Sequence, residues 1–302
     1  MTQQTIGSQE LLKYFSLEMT AKDTESLEAA SKSIPEGTAV NLTYLGNETT
    51  EMRVEAAQAI VDAGLSAVPH ISARRLTGAD ELRDYLERLS AVGAVDRLFL
   101  VGGDPSTPVG PYPDALSVIQ SGLLEEFGVR EVGITGYPEG HPDISEATLW
   151  DALERKLAAL DRAGIQSSVT TQVAFDATAV AQWIAQVRGR GIGTPIRVGA
   201  PGPAGIKRLL GFARRLGITA NATLLKKYGA SVTNLLGKST PATFIEQAAE
   251  EFAQDNLGDV RVHFYTFGGL VATADWTRDY LADAGREDSR ILGQGESDAD
   301  VH

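Results

Sequence analysis

Residues 131–175 read EVGITGYPEGHPDISEATLWDALERKLAALDRAGIQSSVTTQVAF. An apolar run (131–137) ends in a loop bracketed by two prolines, a long helical pattern follows (146–163), and a second short run opens at 168. Short apolar runs that alternate with helical patterns are the signature of parallel strands joined by crossover helices. The rhythm continues on both sides. Upstream, runs at 14–19, 38–44, 65–72 and 95–101 precede helical patterns at 23–33, 51–63, 78–92 and 113–127. Downstream, runs at 168–175, 195–199 and 261–267 precede patterns at 178–188, 204–216 and 271–284. Most runs are continuously apolar, as expected of parallel strands covered on both faces. Eight such units in a row predict a single-domain (β/α)8 barrel of the TIM class over residues 1–285.

One interval breaks the rhythm. Residues 217–258 hold two helical patterns, 222–228 and 240–254, around a Ser/Thr/Asn/Gly-rich loop. It predicts a helical insertion between strands seven and eight, on the active-site side. Residues 286–302 are acidic and polar, and a mobile tail is expected there.

Composition excludes several classes. Forty Asp and Glu against 27 Lys and Arg give a net charge of -13, which repels nucleic acid and anionic membranes. The absence of cysteine removes disulfides, thiolate catalysis, iron–sulfur clusters and cysteine-held zinc. No apolar run approaches a membrane span, and residues 1–10 lack an apolar signal core, so a cytoplasmic location is expected. Gly189-Arg190-Gly191-Ile192-Gly193 follows a helical pattern and precedes a strand, the reverse of the dinucleotide fingerprint. No strand carries a lysine for a Schiff base or ends in a His-x-His pair for a metal.

Active sites of such barrels lie at the C-terminal ends of the strands. Those ends carry Glu18, Thr43, Tyr44, His70, Asp104, Tyr137, Glu139, His141, Gln172, His263 and Tyr265. Glu18 and Asp104 stand out, because a carboxylate closing an apolar strand incurs a desolvation cost that packing does not require. The Gly102-Gly103-Asp104-Pro105 turn lets backbone approach a ligand closely, although an ordinary helix-capping turn uses the same residues.

Together these segments resemble the methylenetetrahydrofolate reductases, FAD-dependent β/α barrels. Phe15-Ser16-Leu17-Glu18 is similar to the family's first strand, whose Glu is the general acid. Asn41-Leu42-Thr43-Tyr44, Val68-Pro69-His70 and Gly103-Asp104 resemble its flavin-side segments, and Tyr137-Pro138-Glu139 with His141-Pro142 is the most distinctive match. Glu154-Arg155-Lys156 resembles its basic helix, Thr171-Gln172 its pterin-contacting segment, and His263-Phe264-Tyr265-Thr266 its eighth strand.

The resemblance implies an oxidoreductase acting on a CH–NH group of a tetrahydrofolate derivative, with FAD as cofactor and NAD(P)H as co-substrate. It implies Glu18 as general acid and Asp104 as electrostatic stabiliser. Thr43, Tyr44, His70, Gly103, Asp104, Tyr112, Tyr137, His141, Arg155 and Lys156 would bind the cofactor, and Gln172 and Tyr265 the folate. Two departures shape the expectation. Gly102 stands where the family has Arg before Gly-Asp, and Gly268-Gly269 where it has a polar residue and Arg for the folate glutamate. Lys226, Lys227 and Tyr228 are therefore expected to hold that tail. A homo-oligomer is compatible with this picture. The alternatives are the same chemistry run oxidatively on methyl-tetrahydrofolate, and a non-catalytic flavin- or folate-binding protein.

Overall fold

A computed structural model describes residues 7–205, 208–209, 211, 238–239, 241–253 and 257–295, with side chains as far as residue 283 in the last helix. Eight parallel strands close a barrel: β1 (Ser16–Met19), β2 (Ala39–Leu42), β3 (Ser66–Ser72), β4 (Arg97–Val101), β5 (Glu131–Gly136), β6 (Gln166–Val173), β7 (Ile196–Pro201) and β10 (Val260–Tyr265). Between the last two, β8 (Ala204–Gly205) and β9 (Lys238–Ser239) form a two-stranded antiparallel ribbon. The seam pairs β1 with β10 at Ser16–His263 and Leu17–Phe264, bringing the two ends of the barrel sequence side by side.

Each strand has two unlike faces. Leu17, Val40, Leu98, Val132, Val169, Val198 and Phe264 point outward into the apolar layer under the helices. The lumen face instead carries Ser16, Glu18, Asn41, His70, Arg97, Glu131, Ser168, Thr170, Arg197 and His263, around a small apolar cluster of Ala39, Val68 and Phe99. The reading of continuously apolar strands is thus corrected to an apolar outer face and a polar lumen. Barrel lumens are normally filled by branched apolar residues. Here hydrogen-bonded polar groups fill the space. Arg97 pairs with Glu131 at 2.8 Å, and Glu131 accepts from Ser168 Oγ at 2.9 Å. Gly133 makes room for Phe99, since a Cβ there would lie 2.5 Å from its ring.

The helices follow the expected rhythm until β7. Glu146–Arg162 is capped by Ser145, and Ala177–Gly189 by Asp176, whose side chains accept from backbone N–H groups in the first turn. After β7, the helix that packs on the barrel is Ala242–Ala253, which lies against Ala177–Gly189 and Ser8–Leu12 and buries Phe244, Ile245, Ala248 and Phe252. The second helical pattern of the predicted insertion is therefore a barrel helix. The first, 222–228, lies outside the described residues. The last helix runs Leu270–Gly295, past the expected end at 284, and packs against Thr24–Ala30. Among the described residues no helix is long and apolar enough to cross a membrane.

Candidate active site

Glu18 is the third residue of β1, pointing into the lumen near its C-terminal mouth. Its side chain is 17% exposed, and burial, then the charge of Asp23, raise its pKa from 4.5 to about 8. At neutral pH the carboxyl is mostly protonated. His263 Nε2 lies 3.9 Å from its Oε2. Burial, then the Arg197 charge, push His263 down to about 3, and Ser16 Oγ engages its Nδ1 at 2.9 Å. A neutral acid therefore faces a neutral imidazole, and no ion pair draws the proton off Glu18. Thr266 Oγ1 donates to the Glu18 carbonyl at 2.9 Å and ties the ends of β1 and β10 together.

Tyr265 and Gln172 border the same mouth. The Tyr265 hydroxyl donates to the Thr171 carbonyl at 3.0 Å, and burial, Glu18 and Tyr137 hold its pKa well above the ordinary value, so it remains a phenol. Its ring lies edge-on to His263, with centroids 5.1 Å apart. It crosses Gly199, where a Cβ would come within 2.6 Å of the ring. The register of β6 against β7 shifts between Thr170 and Val173, an irregularity that re-aims side chains beside Gln172. Gln172 is half-buried, and its amide has no hydrogen-bond partner among the described residues. A half-buried amide with two donors and an acceptor unused is a docking point for a polar ring edge.

On the opposite side of the mouth, the Asn41 amide meets His70 Nε2 at 3.1 Å, and His70 stacks on Phe99 at 4.6 Å. Burial, then the His263 and Arg53 charges, push His70 down to about 3. Arg53 donates to the His70 carbonyl and lies between the rings of Tyr44 and Tyr85, 4.6 and 4.3 Å from their centroids. Arg75 covers Tyr44 at 5.1 Å and grips both oxygens of Asp104 at 2.7 and 2.9 Å. Thr43 Oγ1 donates to the Met19 carbonyl at 3.2 Å. Gly103 has φ +94°, and a Cβ there would come within 2.2 Å of Ser72 Oγ, so only glycine fits this turn.

Asp104 departs from expectation. Its side chain is 76% exposed, and its hydrogen bonds with Arg75 hold its carboxyl below the usual range. The turn after β4 lifts it out of the strand, so the desolvation argument holds for Glu18 and fails for Asp104.

Near β5, Tyr137 and His141 meet edge to face at 5.5 Å, and His141 Nδ1 accepts from the Asp143 backbone at 3.1 Å. A cavity of about 330 Å³ opens between the loop following β5 and the two helices behind it, floored by stacked Trp150 and Trp183. On the first of those helices Lys156 is buried, and desolvation lowers its pKa to about 8 against the opposing influence of Asp114. Arg155 does not join this group. Its side chain is 62% exposed and pairs with Asp151 one turn back. Tyr112 packs in the apolar core. Lys226, Lys227 and Tyr228 lie outside the described residues.

Sequence reasoning missed Arg53 and Arg75, and quoted Asn41 and Thr171 within matching segments without giving them a role. The only local signal was the Arg74-Arg75 pair directly after the third strand.

The fold and these groups define a (β/α)8 barrel that presents a protonated carboxyl, neutral histidines and an unengaged amide at its C-terminal mouth. The chain belongs to the methylenetetrahydrofolate reductase family, which matches residues 13–269. Methylenetetrahydrofolate reductase 2 of Saccharomyces cerevisiae is 29% identical over 171 residues, covering 54% of this chain and 27% of the yeast protein. The matched part thus spans about a quarter of that relative. Among solved structures, an uncharacterized Clostridium thermocellum protein that binds two copies of 5-methyl-5,6,7,8-tetrahydrofolic acid shares the fold. Its TM-score is 0.54 at 13% identity, with 91% of this chain and 98% of that one covered.

Proposed function

We propose that this protein is an FAD-dependent methylenetetrahydrofolate reductase that interconverts 5,10-methylenetetrahydrofolate and 5-methyltetrahydrofolate, with NAD(P)H as co-substrate and Glu18 as general acid. The observation that carries the reading is Glu18 itself. A barrel carboxyl with a pKa of about 8 is poised to deliver a proton at neutral pH, and its neighbours leave that proton in place.

The residues present fit FAD. Lys156 is a buried amine on which, among the described residues, the Asp114 charge acts, and it suits a phosphate. The Gly103 turn brings backbone N–H groups to the mouth, and Tyr137 offers an aromatic edge beside a cavity of about 330 Å³. Thr43, Tyr44, His70, Gly103, Asp104, Tyr137, His141 and Lys156 would hold the cofactor. Bound flavin supplies the two-electron relay between nicotinamide and the folate one-carbon unit.

The chain's own side chains do the rest. Glu18 gives its proton to the folate amine as the carbon–nitrogen bond opens. His70 and His263, both neutral, place no positive charge where a cationic one-carbon unit develops. Gln172 would hold the pterin amide edge, Tyr265 shapes the pocket, and the Asp104–Arg75 pair fixes the turn after β4. The charge on the folate tail falls to Lys226, Lys227 or Tyr228, since Gly269 occupies the position of the family's arginine.

The test is direct. The purified protein should take up FAD, and Glu18→Gln should keep flavin reduction by nicotinamide while losing most of the exchange with folate. Protein that takes up no FAD on titration, or equal loss in both half-reactions, overturns the reading.

A further inference from the structure

Three arginines gather at the N-terminal mouth of the barrel, the end opposite the candidate active site. Arg97 opens β4, and Arg197 and Arg261 are the second residues of β7 and β10. Arg197 and Arg261 are direct register partners on adjacent strands. Like charges placed side by side on paired strands repel, and partial burial sharpens the repulsion. With Lys13 and Tyr14 they line a cavity of about 400 Å³.

Two of the three are matched by carboxylates. Arg97 pairs with Glu131, and Arg261 Nε donates to Asp259 at 2.6 Å while its guanidinium lies over Tyr14, 4.4 Å from the ring centroid. Arg197 is not matched. Its one hydrogen bond is a 3.4 Å contact with the Tyr14 carbonyl, and among the described residues no carboxylate pairs with it. Arg261 Nη1 is closed off from solvent and likewise lacks an acceptor among them. Glu36 and Asp259 also line the cavity, and Lys13 pairs with Glu10 at 3.8 Å. Arg197 alone of the three arginines has no carboxylate paired with it among the described residues, and an apolar residue there would fill the lumen without placing a positive charge beside two others.

We infer that the N-terminal mouth is a binding site for a small dianion, a phosphate ester or a dicarboxylate, clasped by Arg197 and Arg261 with Arg97 and Lys13 at its edge. Planar guanidinium forks present paired donors that match the oxygens of either group. The cavity leaves room for an anionic head and a short carbon body. Burial holds the Arg197 guanidinium below its ordinary basicity; the Glu131 and Asp259 charges oppose that and the Arg97 and Arg261 charges add to it, so a bound anion would offset the remaining cost.

Thermal unfolding of the protein with inorganic phosphate or succinate, against sodium chloride of equal ionic strength, tests this. A saturable rise in Tm is expected with one or both anions, about 5 °C at a hundredfold excess over Kd. A preference for phosphate points to an ester, and a preference for succinate to a dicarboxylate. Arg197→Gln should weaken binding at least tenfold, and Arg197→Lys by less. Should Arg197→Gln fail to fold, Arg261→Gln must show the same loss. The shift must survive Lys156→Gln, which separates it from an anion taken at the other mouth. No saturable shift with either anion, or a shift that persists in the arginine variants, overturns the inference.

Discussion

Replacing Glu18 by Gln separates a protonated acid from an ordinary carboxylate without any substrate. Gln copies the shape and neutrality of the protonated form, and it cannot ionise. In the folded protein Glu18 holds its proton up to about pH 8, while in the unfolded chain it releases it near 4.5. Between those values the folded state carries one more proton than the unfolded state. Stability therefore falls as pH rises through this window, by about 1.4 kcal/mol per pH unit, and levels off above it. From pH 6 to pH 9 the parent should lose about 2–3 kcal/mol through this one group. His70 and His263 are unchanged in the variant and cancel in the difference. Urea unfolding followed by tryptophan fluorescence at pH 6, 7, 8 and 9 measures it, using Trp150, Trp183 and Trp276 as reporters. The gap between Glu18→Gln and the parent should widen by that amount in favour of Gln. A gap that stays constant across this range would show that Glu18 ionises normally, and the general-acid assignment would lose its physical basis.

Gly199→Ala places a methyl 2.6 Å from the Tyr265 ring and 2.7 Å from the Thr171 carbonyl. A loss of about 1–3 kcal/mol in urea unfolding is expected, and an unchanged midpoint would mean that the ring moves aside freely. Arg75→Ala breaks a pair whose carboxylate is largely exposed, so stability should change by less than about 1 kcal/mol while FAD affinity, read by flavin fluorescence, drops several-fold. The reverse pattern would make Arg75 a structural strut. Gln172→Leu should raise the KM for methylenetetrahydrofolate about tenfold and leave FAD binding intact, because among the described residues the amide has no hydrogen-bond partner to lose. An unaltered KM would remove Gln172 from the folate site.

The barrel was legible because its rhythm survives in every unit up to β7, and the outward residues from Leu17 to Phe264 carry the apolar signal. The lumen was not. Its residues are small or polar, and Gly133, Ser168, Thr170 and Gly199 neither break an apolar run nor announce which face they occupy. Glu18 was legible because a lone carboxylate inside so short a strand has few places to go. Asp104 looked equivalent, yet nothing in Gly102-Gly103-Asp104 reveals that the turn carries it into solvent, where Arg75 meets it. Arg155 and Lys156 are neighbours in sequence, but helix geometry points them to different sides, and only Lys156 is buried. The helix Ala242–Ala253 was read as part of the insertion between the last two strands, where it stands; that it packs against Ala177–Gly189 on the barrel was hidden by the ribbon that interrupts the rhythm after β7.

The polar lumen also explains why Glu18 keeps its proton. A carboxyl this deep would ionise if a cation stood beside it, and among the described residues His263, 3.9 Å away, is the group that pairs with it. Burial is the larger force keeping His263 neutral, and the Arg197 charge below it is the smaller. Neutralising Arg197 with a bound anion would ease His263 upward, yet the dominant desolvation would still hold it below its ordinary 6.5. The acid at one mouth and the arginines at the other are thus coupled in sign and unequal in strength. Occupancy of the proposed lower site would shift the buried imidazole upward only slightly, and Glu18 would keep the proton that the proposed chemistry requires.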